Sequence, residues 1–141
     1  MGRREEGEAE VERFGKLEAN EREAEVRVRA IPVIIRTAFA RLEDQQGEAA
    51  LEELRKGIRS YPDSASLQLN LGILQSRLRM HGDAIKTFQS MIDQGYQDQT
   101  SFLIHLNLSR EYEALGDMKG SRIQRLIYLQ KYDTFLKNKL K

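Results

Sequence analysis

Asn70-Leu71-Gly72, followed by Ala84-Ile85 and then by Phe88, is the stretch whose reading decides the fold. Gly72 and Ala84 stand twelve residues apart, and the turn signal His81-Gly82-Asp83 lies between them. That spacing suits two facing positions on consecutive helices joined by a short turn. Helices approach closely only where neither carries a bulky side chain, and a large residue one turn further on fills the space beside the contact. The same increments recur on either side. Ala38 is followed twelve residues later by Ala50, then by Leu54, Gly57 and Pro62. Gly72 leads in the same steps to Ala84, Phe88, Met91 and Tyr96, and Ser109 leads to Ser121, Arg125, Tyr128 and Asp133. Ala50 to Ala84 is 34 residues and Ala84 to Ser121 is 37.

Working outward, punctuation falls where such pairs need it. Gln45-Gln46-Gly47, Tyr61-Pro62-Asp63-Ser64, His81-Gly82-Asp83, Gly95 and Leu115-Gly116-Asp117 are expected to separate six helices. Asp63 or Ser64 is the expected cap of the third helix, Asp83 of the fourth, and Asp98 or Thr100 of the fifth. Pro32 sits where a first helix would begin, because its missing N–H is harmless in an opening turn. Before it, residues 1–29 are rich in Glu, Arg and Ala. Phe14, Leu17, Ala24 and Val28 fall on one stripe there, interrupted by Glu21 and weakened by Gly15. This segment is expected to be a charged N-terminal arm, weakly ordered or a single helix, ahead of a domain over 30–141.

With these residues in register, the chain resembles the tetratricopeptide repeat family. Asn70-Leu71-Gly72 with Ala84-Ile85 and Phe88 carries the strongest match. Asn107-Leu108-Ser109, Tyr112 and Gly116-Asp117 look like a first helix and its turn, and Ala50, Leu54, Gly57 and Pro62 like a second helix with its closing proline. Units at 31–64, 65–98 and 102–135 cover about three quarters of the chain. The resemblance implies an all-α fold: a helical solenoid of three antiparallel helix pairs, ending in a basic C-terminal helix. The departures are Thr37-Ala38 for the usual Leu-Gly, Tyr96 for the second closing proline, and Arg125 for a large apolar residue. Polar replacements in a last unit suit a cap, which has no follower to pack against.

Composition narrows function. The 141 residues are 40% apolar and 32% charged, with two prolines, no Trp and no Cys. Disulfide frameworks, thiolate metal sites and cysteine nucleophiles are excluded. No apolar run is long enough to span a bilayer, and the opening residues lack a signal-peptide stretch. The net charge of +1 hides a gradient. Residues 1–29 hold seven basic and nine acidic side chains, residues 30–118 nine and twelve, and residues 119–141 seven and one. Cations in the last helix offset the negative end of its dipole, and they could also attract an anionic surface.

No constellation for catalysis stands out, and no metal or cofactor is expected. His81 is expected in a solvated turn, and His105 as a packed, hydrogen-bonded histidine. Glu52-Glu53 and Glu111/Glu113 read as solvated faces. What remains is a surface. By resemblance, the first helix of each unit lines a concave groove with Ile35, Arg36, Phe39 and Leu42, then Leu69, Asn70, Ile73, Ser76 and Arg77, then Leu103, Leu106, Asn107, Arg110 and Glu113. Some relatives hold a chaperone's C-terminal carboxylate in a polar clamp. Ile35, Phe39 and Leu103 stand where that clamp needs polar or basic groups, which disfavours this ligand. The expectation is a non-catalytic scaffold or adaptor that captures a peptide or amphipathic helix of another protein, with arginines orienting an acidic flank. The alternatives are a self-associating structural subunit, a homo-oligomer with a plugged groove, and a basic last helix on an anionic surface or nucleic acid. Net charge near zero counts against nucleic acid.

Overall fold

Helix formers dominate between the turn signals, and a computed structural model of the chain describes residues 2–141, without the side chain of Asp98. Among them are six α-helices, α1 (Gly2–Glu43), α2 (Gly47–Ser60), α3 (Ala65–Arg77), α4 (His81–Asp93), α5 (Asp98–Ala114) and α6 (Met118–Lys139). The described residues are all-α, and none of these helices is long and apolar enough to cross a membrane. The chain divides into two units, Met1–Val33 and Ile34–Lys141.

In the first unit, Glu, Arg and Ala have high intrinsic helix propensity. Ion pairs at i,i+4 add to it, Arg4 to Glu8 at 3.6 Å and Lys16 to Glu12 at 2.7 Å. Each is worth only about 0.3–0.5 kcal/mol at such exposure. Val11, Phe14, Leu17, Val26 and Val28 all remain exposed. Pro32 corrects the expected helix start: it lies inside α1 rather than at its beginning. A proline in a helix interior costs about 3 kcal/mol through its missing donor and its clash with the preceding turn. Good helix formers on both sides carry α1 through that cost.

In the second unit, α2 packs on α3, α3 on α4, α4 on α5 and α5 on α6, and α3 also reaches α5. The end of α1 meets α2 where a Cβ on Gly57 would lie 2.9 Å from Ile34 Cγ2. Arg41 Nε stands 3.5 Å from the Glu53 carboxylate at the same junction. The six small residues found by self-comparison, Ala38, Ala50, Gly72, Ala84, Ser109 and Ser121, are all buried. Phe88 closes over Gly72 so tightly that a Cβ there would overlap its ring. Ser109 and Ser121 touch through their hydroxyls at 3.1 Å. The core joins α4 to α5 through Ala84, Phe88, Met91, Ile104 and Leu108, and Leu51, Leu54, Leu67 and Leu74 are fully buried besides.

Three turns share one geometry. Gln45 (φ 61°), Arg79 (φ 61°) and Gly116 (φ 80°) are left-handed, and they stand 34 and 37 residues apart. Each is followed by an N–H that reaches back over the helix end: Gln46 to Arg41 O at 2.9 Å, Met80 to Gln75 O at 2.9 Å, Asp117 to Tyr112 O at 2.8 Å. This is the glycine-type helix stop, used here twice without glycine. Ser64 caps α3 by accepting from Leu67 N–H at 3.3 Å, and Asp117 caps α6 by accepting from Gly120 N–H at 2.8 Å. Asp83 lies within the first turn of α4, whose cap position is Met80, so it is not the expected cap. Asp98 and Thr100 both lie inside α5, which Gln97 precedes in extended conformation.

Candidate functional site

The predicted groove residues fall on three helices: Ile35, Arg36 and Phe39 on α1, Leu69, Asn70, Ile73 and Arg77 on α3, and Leu103, Leu106, Asn107 and Arg110 on α5. Within each helix their spacing of three or four puts them on one side. The eight uncharged members are half-buried, whereas Arg36, Arg77 and Arg110 are exposed. Leu69 and Ile73 pack against the core of α4 and α5, so they serve the interior with one side and the surface with the other. The structure joins α1 and α3 here through Arg77. Its guanidinium lies 5.1 Å from the centre of the Phe39 ring, and its Nη1 is 4.0 Å from the Glu43 carboxylate. A cation over an aromatic face at an exposed site is worth about 0.5–1 kcal/mol. Arg77 is therefore a bridging residue, its charge already shared with Glu43.

The two asparagines behave alike. Asn70 Nδ2 donates to Ser66 O and Asn107 Nδ2 to Leu103 O, both at 2.8 Å and both one turn back in their own helix. Each amide gives one N–H to the backbone, which leaves its second N–H and its oxygen for other bonds.

Beside Arg77 the structure builds a polar cluster that the sequence reading missed. Glu111 on α5 accepts from Ser76 Oγ on α3 and lies 2.7 Å from Nδ1 of His81 at the start of α4. Its side chain is only 3% exposed. The expectation of a solvated Glu111 is thus corrected, as is that of a solvated His81, which is a half-buried partner of this carboxylate. A signal was present: Ile104, Leu108 and Glu111 stand at i, i+4 and i+7, one continuous stripe toward the core. Chemically the trio differs from a hydrolytic triad. There the imidazole stands between hydroxyl and acid and takes the hydroxyl proton. Here the carboxylate stands between the other two and accepts directly from the hydroxyl. Across the unit, His105 is buried, with Nδ1 2.7 Å from Gln124 Oε1 of α6. Among the described residues no group of three or more His, Cys, Asp or Glu could hold a metal ion.

A separate concavity of about 440 Å³ opens between α5 and α6, lined by Ser101, Ile127, Lys131 and Phe135 among others. It includes none of the predicted groove residues. Beside it, Phe102 gathers Tyr128, Tyr132 and Phe135 at centroid distances of 6.1, 5.3 and 5.3 Å, which fastens the later turns of α6 to α5. Arg125 follows Ser121 at the step by which the buried Leu54 and Phe88 follow Ala50 and Ala84. It is exposed and paired with Glu113 at 3.3 Å.

Compared with known proteins, the chain matches no family model, no curated protein and no solved structure.

Proposed function

We propose that this chain is a non-catalytic interaction module of the tetratricopeptide type, which captures a peptide or amphipathic helix along α1, α3 and α5. The observation that carries the reading is the bridged row of odd-numbered helices. Arg77 links α3 to Phe39 and Glu43 of α1, Ser76 links α3 to Glu111 of α5, and half-buried aliphatic residues recur on all three. Three turns of one geometry at steps of 34 and 37 residues support stacked helix pairs of this type. A half-buried aliphatic row edged by exposed guanidiniums suits an extended or helical segment with an acidic flank. Each Leu, Ile or Phe further buried by such a ligand adds about 1.5–3 kcal/mol before association costs.

Arg36→Glu combined with Arg110→Glu tests the reading at positions that are exposed and so leave the core intact. Affinity capture from a cell extract, wild type against this variant, should lose its specific partners while circular dichroism stays unchanged. The same partners at the same yield would move the binding surface elsewhere. Ile73→Asp is a poorer probe, because Ile73 packs against the α4 and α5 core and its loss would lower stability as well.

A further inference from the structure

α6 turns its aromatic side toward Phe102 and leaves the adjoining side open. Leu126, Leu129, Leu136 and Leu140 are exposed there, Leu126 at 65% and Leu140 at 87%. With Asp133 between them they stand at steps of three, four, three and four, the narrow seam by which one helix grips another. Arg122, Arg125 and Lys137 flank the seam, and residues 119–141 carry seven basic side chains against one acidic. An exposed leucine row with one sign of charge around it marks an interaction surface.

The same chain holds a helix of opposite character. Residues 5–25 of α1 carry nine acidic and three basic side chains, and Phe14, Leu17, Ala24 and Val28 repeat the step of three or four about Glu21. Phe14 is 68% exposed and Val28 72%. Both seams are uncovered in a single chain. They match in spacing and in length, their flanks oppose each other in charge, and a register offset by one turn keeps Glu21 clear of Asp133.

We infer that the outer face of α6 receives the acidic N-terminal helix of a second copy of this chain. The seam spacing favours a helix over a phosphate backbone or an anionic bilayer, and Asp133, paired with Lys137 at 2.7 Å, interrupts the row for either of those. Nucleic acid would want cations without leucines, and a bilayer would want the row unbroken by an acid. Reciprocal exchange of the two helices closes a dimer, and one-way exchange builds a longer assembly.

A charge swap on the full chain tests this. One variant carries Glu10→Lys, Glu18→Lys and Glu25→Lys, and the other Arg122→Glu, Arg125→Glu and Lys137→Glu, each checked for helicity by circular dichroism. In sedimentation experiments the wild type should self-associate, more weakly as salt rises, and each variant alone should weaken association by about tenfold or more. Mixed together, the two variants should regain it, because every basic seam again meets an acidic one. Leu129→Glu with Leu136→Glu should leave a folded monomer that no mixing rescues. A wild type that stays monomeric overturns the inference. So does association that survives in either charge variant, or folded variants that fail to rescue each other. Binding of α6 to anionic vesicles without self-association would assign the face to lipid instead.

Discussion

The contact between α3 and α4 and that between α5 and α6 occupy equivalent places in the sequence spacing, yet they are built from different chemistry. Phe88 of α4 packs on Gly72 of α3 so closely that no Cβ fits on Gly72, and Ala84 is fully buried one turn before it. Ser109 and Ser121 bring α5 and α6 together, but a hydroxyl pair replaces the bare contact, and exposed Arg125 replaces the buried ring. His105 and Gln124 add a further polar link in that second contact. At the small-residue positions themselves the first contact is one of shape, with the Thr87–Gln75 hydrogen bond of 2.7 Å beside it, whereas the second places a hydroxyl pair there and packs its aromatic cluster further along. An interior contact is unforgiving of volume. The contact made by the last helix spends part of its surface on polar groups, and four leucines of α6 remain exposed beyond it.

Phe88→Ala should break the comparison most strongly, costing about 3–5 kcal/mol through the cavity it leaves. Arg125→Ala, at the matching position, should stay within about 0.5 kcal/mol, since an exposed ion pair contributes little. Urea denaturation of both variants measures the contrast directly. Gly72→Leu drives a side chain into the Phe88 ring and should cost about 1–3 kcal/mol. Adding Phe88→Ala to that variant should recover part of the loss, because the two changes share one space. Glu111→Ala strands the Ser76 hydroxyl and the His81 imidazole where three helices meet, and should cost about 1–3 kcal/mol in the same assay.

Much of this was legible in the sequence. The spacing of small residues located five of the six helices and their close contacts, because helix approach depends on the one property a sequence states openly, side-chain volume. Gln45 and Arg79 were harder to read. Their left-handed backbone is the kind glycine signals, as Gly95 and Gly116 did elsewhere in the chain. Glu111 was misread because a charged letter suggests solvent, although its place in the Ile104–Leu108 stripe pointed inward. Pro32 was misread because its local preference for a first turn was weighed without the helix-forming strength of the residues before it. Of the candidate site, the spacing of the row along each helix is a property of the sequence, whereas the bridges between helices are not, since Arg77 over Phe39 depends on how the end of α1 and α3 lie together.

Gln45→Gly and Arg79→Gly sharpen that lesson, each removing left-handed strain and raising the unfolding free energy in urea by about 0.5–1 kcal/mol. Gly116→Ala should lower it by a similar amount. Ser109→Ala together with Ser121→Ala should have the smallest effect, within about 0.5 kcal/mol, because both partners of the bond leave at once and the volume is kept. A larger loss would mean that the hydroxyl pair, rather than its small size, holds α6 to α5.

Pro32 offers no N–H, so the Val28 carbonyl has no partner in the helical ladder, close to the Val33/Ile34 boundary between the units. To a protease, such a helix has a weak seam written into it. Residues before the proline rest on exposed ion pairs and open at little cost, whereas residues after it open only with the buried contacts of Ala38 and Ala50. Trypsin, which cuts after arginine and lysine, would therefore strip the segment at Arg22, Arg27 and Arg29 and halt at the packed turns beyond. The rate of that trimming would be a clock for how much of the time the segment spends covered.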